Sequence, residues 1–179
     1  MKRLIMILMC ALPLLSLGAQ EKKVLVAYFS CTGNTESVAK AIATEVKGDL
    51  YRIAPEKAYT NADLDWRNKQ SRSSVEMGDE ASRPPLADKK AAVEKYDVIF
   101  IGFPIWWNTY PRIVNTFLES YNFKGKIVIP FATSGSSSIA NSEKMLREHY
   151  GNGVTLKPGR LCNDGADASK KWARQTLSD

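Results

Sequence analysis

Residues 30–36, Ser-Cys-Thr-Gly-Asn-Thr-Glu, directly follow the apolar run Val24-Leu25-Val26-Ala27-Tyr28-Phe29 and lead into a helical pattern over 37–43. A strand that feeds a hydroxyl- and Gly-rich turn opening a helix suits an anion. The first helical turn leaves amides unpaired, the helix dipole adds positive potential, and the hydroxyls add donors. There is no Gly-Lys-Ser/Thr ending and no second or third Gly, which excludes a nucleoside-triphosphate loop and a dinucleotide fingerprint. The loop also lacks Lys and Arg. The pattern therefore predicts a single terminal phosphate held by amides, hydroxyls and the dipole. The plainer alternative is that Thr, Asn and Ser here only cap the helix.

Two further stretches carry ligand-type chemistry. Pro104-Ile105-Trp106-Trp107-Asn108-Thr109-Tyr110-Pro111 follows a second apolar run and includes two adjacent Trp residues. Each has a flat face suited to stacking on a planar ring, although either could instead pack onto the protein or a second copy. Pro111 is expected at the first position of a helix. Ala132-Thr133-Ser134-Gly135-Ser136-Ser137-Ser138 follows a third run, and its amides and hydroxyls suit the polar edge of such a ring; read plainly, it is a polar connector. His149, the single histidine, falls at the end of a predicted helix, where its charge favours the C-terminus, and it is given no catalytic role. No Cys/His spacing suggests a metal.

The elements that must position these loops follow from hydrophobic patterning. Continuous apolar runs at 23–29, 97–103 and 126–131 mark strands buried on both faces, as in a parallel sheet. Half-apolar strands fit 49–54 and 153–162. Helical spacing appears at 35–47, 111–121, 138–149 and 166–177. The alternation predicts a doubly wound α/β fold in three layers. In such a sheet ligands bind beyond the carboxyl ends of the strands, so all three loops face one crevice. Residues 55–90 break the rhythm and read as a long surface excursion with a short helix or two.

Residues 1–19 read as a secretory signal peptide: Lys2-Arg3, an apolar stretch from 4 to 17, and small residues before Gln20. Cys10 sits too early for lipidation. Residues 20–179 then form one domain, exported and expected in the periplasm, with no stable membrane insertion. Losing Lys2 and Arg3 takes the net charge from +6 to +4. No basic cluster with interleaved aromatics is present, which argues against nucleic acid. Cys31 and Cys162 remain, and no bridge is expected because their strands lie at different places in the sheet.

Together these residues resemble the flavodoxin family across essentially the whole mature chain. The loop at 30–35 matches its Ser/Thr-x-Thr-Gly-Asn-Thr pattern. Gly102-Phe103-Pro104-Ile105-Trp106-Trp107 and Pro55-Glu56-Lys57-Ala58-Tyr59 match one branch of it. The resemblance implies a five-stranded parallel sheet of order 2-1-3-4-5 and non-covalently bound FMN. By position, Ser30, Thr32, Gly33, Asn34 and Thr35 would hold the phosphate, with Cys31 inside that loop. Pro104, Ile105, Trp106, Trp107 and Asn108 would line the ring, and Thr133, Ser134 and Gly135 would meet its polar edge.

In that family the peptide after the stacking Trp turns over on one-electron reduction. Gly is usual there, and Asn108 is the next most tolerant residue of positive φ. The sequence departs from the family in three ways. Residues 132–138 carry no aromatic to cover the second ring face, leaving it open or covered by the excursion through Tyr59 or Trp66. The chain is basic rather than acidic. It also carries an export signal. Two readings follow: an exported electron carrier working with redox partner proteins, or an FMN-dependent reductase of quinones or similar planar acceptors. A flavin-free binding module is the third and weakest.

Overall fold

The computed structural model describes residues 22–178, and the expected signal peptide lies outside them. Six strands form one parallel sheet: β1 (Val24–Tyr28), β2 (Asp49–Arg52), β3 (Val98–Pro104), β4 (Ile127–Thr133), β5 (Thr155–Leu156) and β6 (Arg160–Leu161). The order is β2-β1-β3-β4-β5, with β6 also paired to β4. The expected order 2-1-3-4-5 is therefore present, and the fifth position is shared by two short strands.

The break in that fifth position has a backbone cause. Along β4 the carbonyls of Val128 and Ala132 accept from Lys157 and Cys162, so alternate residues of β4 face this edge. Pro130 lies between them and has no N–H to offer. Opposite it are Pro158 and Gly159. A side chain at Gly159 would come within 2.5 Å of the Pro130 carbonyl. The Gly159 amide turns instead to the Glu143 carboxylate, at 2.6 Å.

Alternation along the strands sends side chains to two cores. On one face, Leu25, Ala27, Phe29, Ile99, Ile101 and Phe103 meet helices α3 (Arg112–Glu119) and α4 (Ala140–Tyr150) through Ile113, Phe117 and Leu146. On the other, Val26, Val98, Phe100, Ile129 and Phe131 meet α1 (Asn34–Val46) and α5 (Ala166–Ser178) through Val38, Ile42 and Ala173. The order of the chain through these layers gives the doubly wound, three-layer arrangement that the run lengths predicted. Gly102 is needed inside β3, because a Cβ there would overlap the Phe131 ring.

The excursion contains one short helix, α2 (Arg72–Gly78), capped at its start by the Ser71 hydroxyl accepting from the Ser74 amide. Pro111 precedes α3 as its extended N-cap rather than occupying its first turn; its carbonyl accepts from the Val114 amide at 2.9 Å.

Candidate functional site

The three loops singled out in the sequence meet at the carboxyl edge of the sheet around a cavity of about 720 Å³. That size falls within the range of small-molecule and cofactor sites. Ser30, Cys31, Thr32, Asn34 and Thr35 line it from the β1–α1 loop, Pro104, Ile105 and Trp106 from the end of β3, and Thr133, Ser134 and Gly135 from the end of β4. Gly33, Trp107 and Asn108 belong to the same loops but do not line the cavity.

The β1–α1 loop leaves a helix N-terminus open. Gly33 adopts φ +90°, a conformation costly for any residue with a Cβ, and caps α1 without a side-chain acceptor. Its own amide donates to Ser30 Oγ at 3.1 Å, closing the loop on itself. Ser37 donates to the Gly33 carbonyl, but the amides of Asn34, Thr35 and Glu36 find no acceptor among the described residues. Such donors strongly favour an anion. No Lys, Arg, Asp or Glu lines the cavity, so the potential there comes from amides, hydroxyls and the helix dipole.

Hydrogen bonds between neighbouring loops hold the cleft in shape. The Thr35 and Thr133 hydroxyls lie 2.8 Å apart, joining the first and third loops. The Ile105 amide donates to the Thr133 carbonyl at 2.8 Å, joining the second and third. Asn163 bridges Ser134 reciprocally: Oδ1 accepts from the Ser134 amide at 3.1 Å, and Nδ2 donates to its carbonyl at 2.6 Å. Asn163 was not anticipated from sequence, nor were Cys162, Gly165 and Ala166, which also line the cavity. They lie at and beyond the end of β6, which falls within the half-apolar strand expected at 153–162. The rule that placed the other loops points to this one as well, because the expected strand ends at residue 162.

The aromatic wall is built from one Trp rather than two. Residues 106–109 form a tight reversal in which Trp106 and Thr109 exchange backbone hydrogen bonds of 2.8 and 2.9 Å. Trp107 (φ +46°) and Asn108 (φ +63°) both occupy the left-handed region, the signature of a type I′ turn. Asn at such a position is well tolerated, whereas Trp is strained there. The turn faces Trp106 to the cleft and leaves Trp107 48% exposed on its outer side.

Trp106 is braced edge-on by Phe29 and by Tyr59, each with its ring centre 5.5 Å away. Tyr59 is fixed in turn by the Arg72 guanidinium 4.0 Å over its ring and by a hydrogen bond from its hydroxyl to Glu76. Tyr59 thus backs the wall, and Trp66 is largely solvent-exposed. Leu64 is the residue of the excursion that reaches the cleft.

Cys31 and Cys162 border the same cavity, so the strand order does not keep them apart as expected; both are free thiols. Burial pushes the Cys31 thiol up to about 11 and raises that of Cys162, so both stay protonated at neutral pH.

The flavodoxin family model matches residues 23–176. Crystal structures of two provisionally assigned flavoproteins are similar throughout. That from Bacteroides uniformis ATCC 8492 is 55% identical over 86% of this chain and 98% of its own, with a TM-score of 0.82. That from Bacteroides eggerthii DSM 20697 is 52% identical over 87% and 98%, also with a TM-score of 0.82. A flavoprotein from Lactobacillus acidophilus NCFM, solved in complex with FMN, is 22% identical over 82% of this chain and 97% of its own; its TM-score of 0.64 speaks to the fold. No curated protein matches the chain significantly.

The strained reversal yields a testable expectation. A β-branched residue is strained at the φ of Asn108, so Asn108→Val should cost about 1–2 kcal/mol, while Asn108→Gly should be close to neutral. Urea denaturation of the two variants checks this, and equal midpoints would contradict it.

Proposed function

The chain belongs to the flavodoxin family, and we propose that it binds FMN in the cleft at the sheet edge and carries electrons between redox partner proteins outside the cytoplasm. The observation that carries the reading is the open N-terminus of α1, whose unpaired amides face a cleft lined by hydroxyls and by no ionised side chain. The residues present suit the cofactor. Thr32, Asn34 and the first amides of α1 would hold its phosphate, and Trp106 offers the flat wall for its ring. Ser134 and Gly135 offer backbone groups for the polar edge. Bound FMN supplies one- or two-electron transfer; the chain's part is to bind it, orient it and set its electrostatic surroundings. The FMN complex of the Lactobacillus acidophilus protein, which shares the fold, supports the choice of ligand.

A reductase of quinones or similar planar acceptors is the second reading. It is favoured by the wall at 133–135, which contributes no aromatic, and by the engagement of Tyr59 behind Trp106. Neither supplies a second aromatic cover for a ring in the cleft. Export is proposed from the basic start, apolar segment and small residues of 1–19.

Each part of the reading has its own test. Flavin-fluorescence titration of the apoprotein should show FMN binding well above riboflavin, which lacks the phosphate. Thr32→Glu, an exposed change, should weaken FMN at least about tenfold by repulsion. Equal binding of FMN and riboflavin would reject the phosphate site. Stepwise anaerobic reduction should show partial accumulation of one-electron-reduced flavin; none at all, together with rapid quinone turnover from a nicotinamide donor, selects the reductase. N-terminal sequencing of the native protein should begin at Ala19 or Gln20, and an intact Met1 would overturn export.

A further inference from the structure

Pairing between β4 and β6 ends where the Cys162 amide donates to the Ala132 carbonyl at 2.7 Å. The chain then leaves the sheet through Gly165, at φ +99°, and enters α5 at Ala166. Ser134 lies two residues beyond Ala132, so it is the next to turn its backbone toward this edge, and no strand remains to pair with it. Asn163 supplies the partner from its side chain. Oδ1 accepts from the Ser134 amide at 3.1 Å, and Nδ2 donates to the Ser134 carbonyl at 2.6 Å. A side-chain amide carries the donor and the acceptor of a peptide group, so it extends the ladder one step past its backbone end.

The other polar groups of the loop at 133–137 are largely engaged as well. The Thr133 hydroxyl meets that of Thr35, and the Thr133 carbonyl accepts from the Ile105 amide. Ser134 Oγ accepts from the amides of Ser136 at 3.2 Å and Ser137 at 2.9 Å. Gly135 differs. It lines the cleft, and its amide finds no acceptor among the described residues. It sits directly after the residue whose backbone Asn163 grips on both sides, and Asn163 lines the cleft too.

We propose that Asn163 is a positioning residue for the polar edge of the flavin ring. By pinning Ser134 it fixes the Gly135 amide as the donor which that edge meets. This role rests on the FMN reading of the cleft and adds the group that sets the electrostatics at the ring's polar end. Reduction of a flavin builds negative charge on that edge. A donor fixed in advance stabilises such charge better than one that must first be ordered. Loss of Asn163 therefore weakens the reduced cofactor more than the oxidised one.

Asn163→Ala tests the assignment through FMN and riboflavin titrations and the midpoint potential of the bound flavin. Oxidised FMN and riboflavin should both weaken by about three- to tenfold, and the ratio between them should stay unchanged, because the phosphate is held at α1. The midpoint potential should move to a more negative value, with reduced FMN losing at least about threefold more affinity than oxidised FMN. Asn163→Leu, similar in size but without polar atoms, should reproduce both effects. Asn163 is exposed, so both variants should fold. An unchanged midpoint potential, a loss confined to FMN, or wild-type behaviour of Asn163→Leu overturns the positioning role while leaving the FMN reading intact. Wild-type protein that binds neither flavin overturns both.

Discussion

Every feature of the cleft depends on one constraint: strands in a parallel sheet all end on the same edge, and each following helix begins there. Helix beginnings are electrically incomplete, because their first amides have no partner within the helix. At α1 the chain leaves this deficit in place. Gly33 caps with a left-handed backbone and no side-chain oxygen, while the Ser30 hydroxyl is occupied with the Gly33 amide. Elsewhere in the molecule a short helix is treated differently: α2 has Ser71 as a capping acceptor. Side-chain caps are absent from α3 and α4 as well; what distinguishes α1 is that its uncapped beginning lines the cleft. Around it, hydrogen bonds run between loops rather than into the cavity, from Thr35 to Thr133 and from Ser134 to Asn163. The adjacent strand ends are thereby locked together without using the first amides of α1.

The second constraint is the reversal at 106–109. Two successive residues with positive φ cost free energy, and the cost is greater for Trp107 than for Asn108. The surroundings compensate from α4. Asn141 donates to the Asn108 carbonyl at 3.0 Å, and the Thr109 hydroxyl meets the Met145 sulfur at 3.0 Å. From the other side Trp106 is set against Phe29 and Tyr59, and Tyr59 is held by Arg72 and Glu76 of α2. The long excursion between β2 and β3 thus acquires a structural purpose: it backs the aromatic wall.

How much of this was legible in the sequence depended on element length. The runs at 23–29, 97–103 and 126–131 are long enough, and apolar on both faces, for burial alone to identify them. The loops that follow them were then located by rule. The fifth position of the sheet was not legible in detail, because its interruption arises from Pro130 on the neighbouring strand meeting Pro158 and Gly159, a contact that no local pattern records. The strand expected at 153–162 does end at the cleft, but Asn163, Gly165 and Ala166 beyond it form no ligand-type pattern, so their contribution went unseen. Reading Asn108 as the residue after the stacking Trp made Trp107 the stacking residue, whereas the structure turns Trp106 to the cleft and Trp107 outward. The dihedral angles of the turn decide which of them faces inward, and Asn108 was the sole hint that a positive φ occurs there.

The charge of the chain and the potential of its cleft prove to be separate matters. The sequence carries a net charge of +6, and a reading from totals would place attraction for anions anywhere on the surface. Yet no Lys or Arg lines the cleft; of the cations near it, Arg52 donates to the Ser30 carbonyl at 3.5 Å, Arg72 is held by Glu76 and the Lys57 carbonyl, and Arg160 by Asp164. Surface pairs of this kind contribute little individually and are screened by salt. Amides fixed at the start of a helix cannot move away or titrate, and they act over hydrogen-bond distances, where screening is weak. Recognition in the cleft therefore rests on backbone geometry, which explains why it is bordered by residues whose main assets are small size and hydroxyl groups.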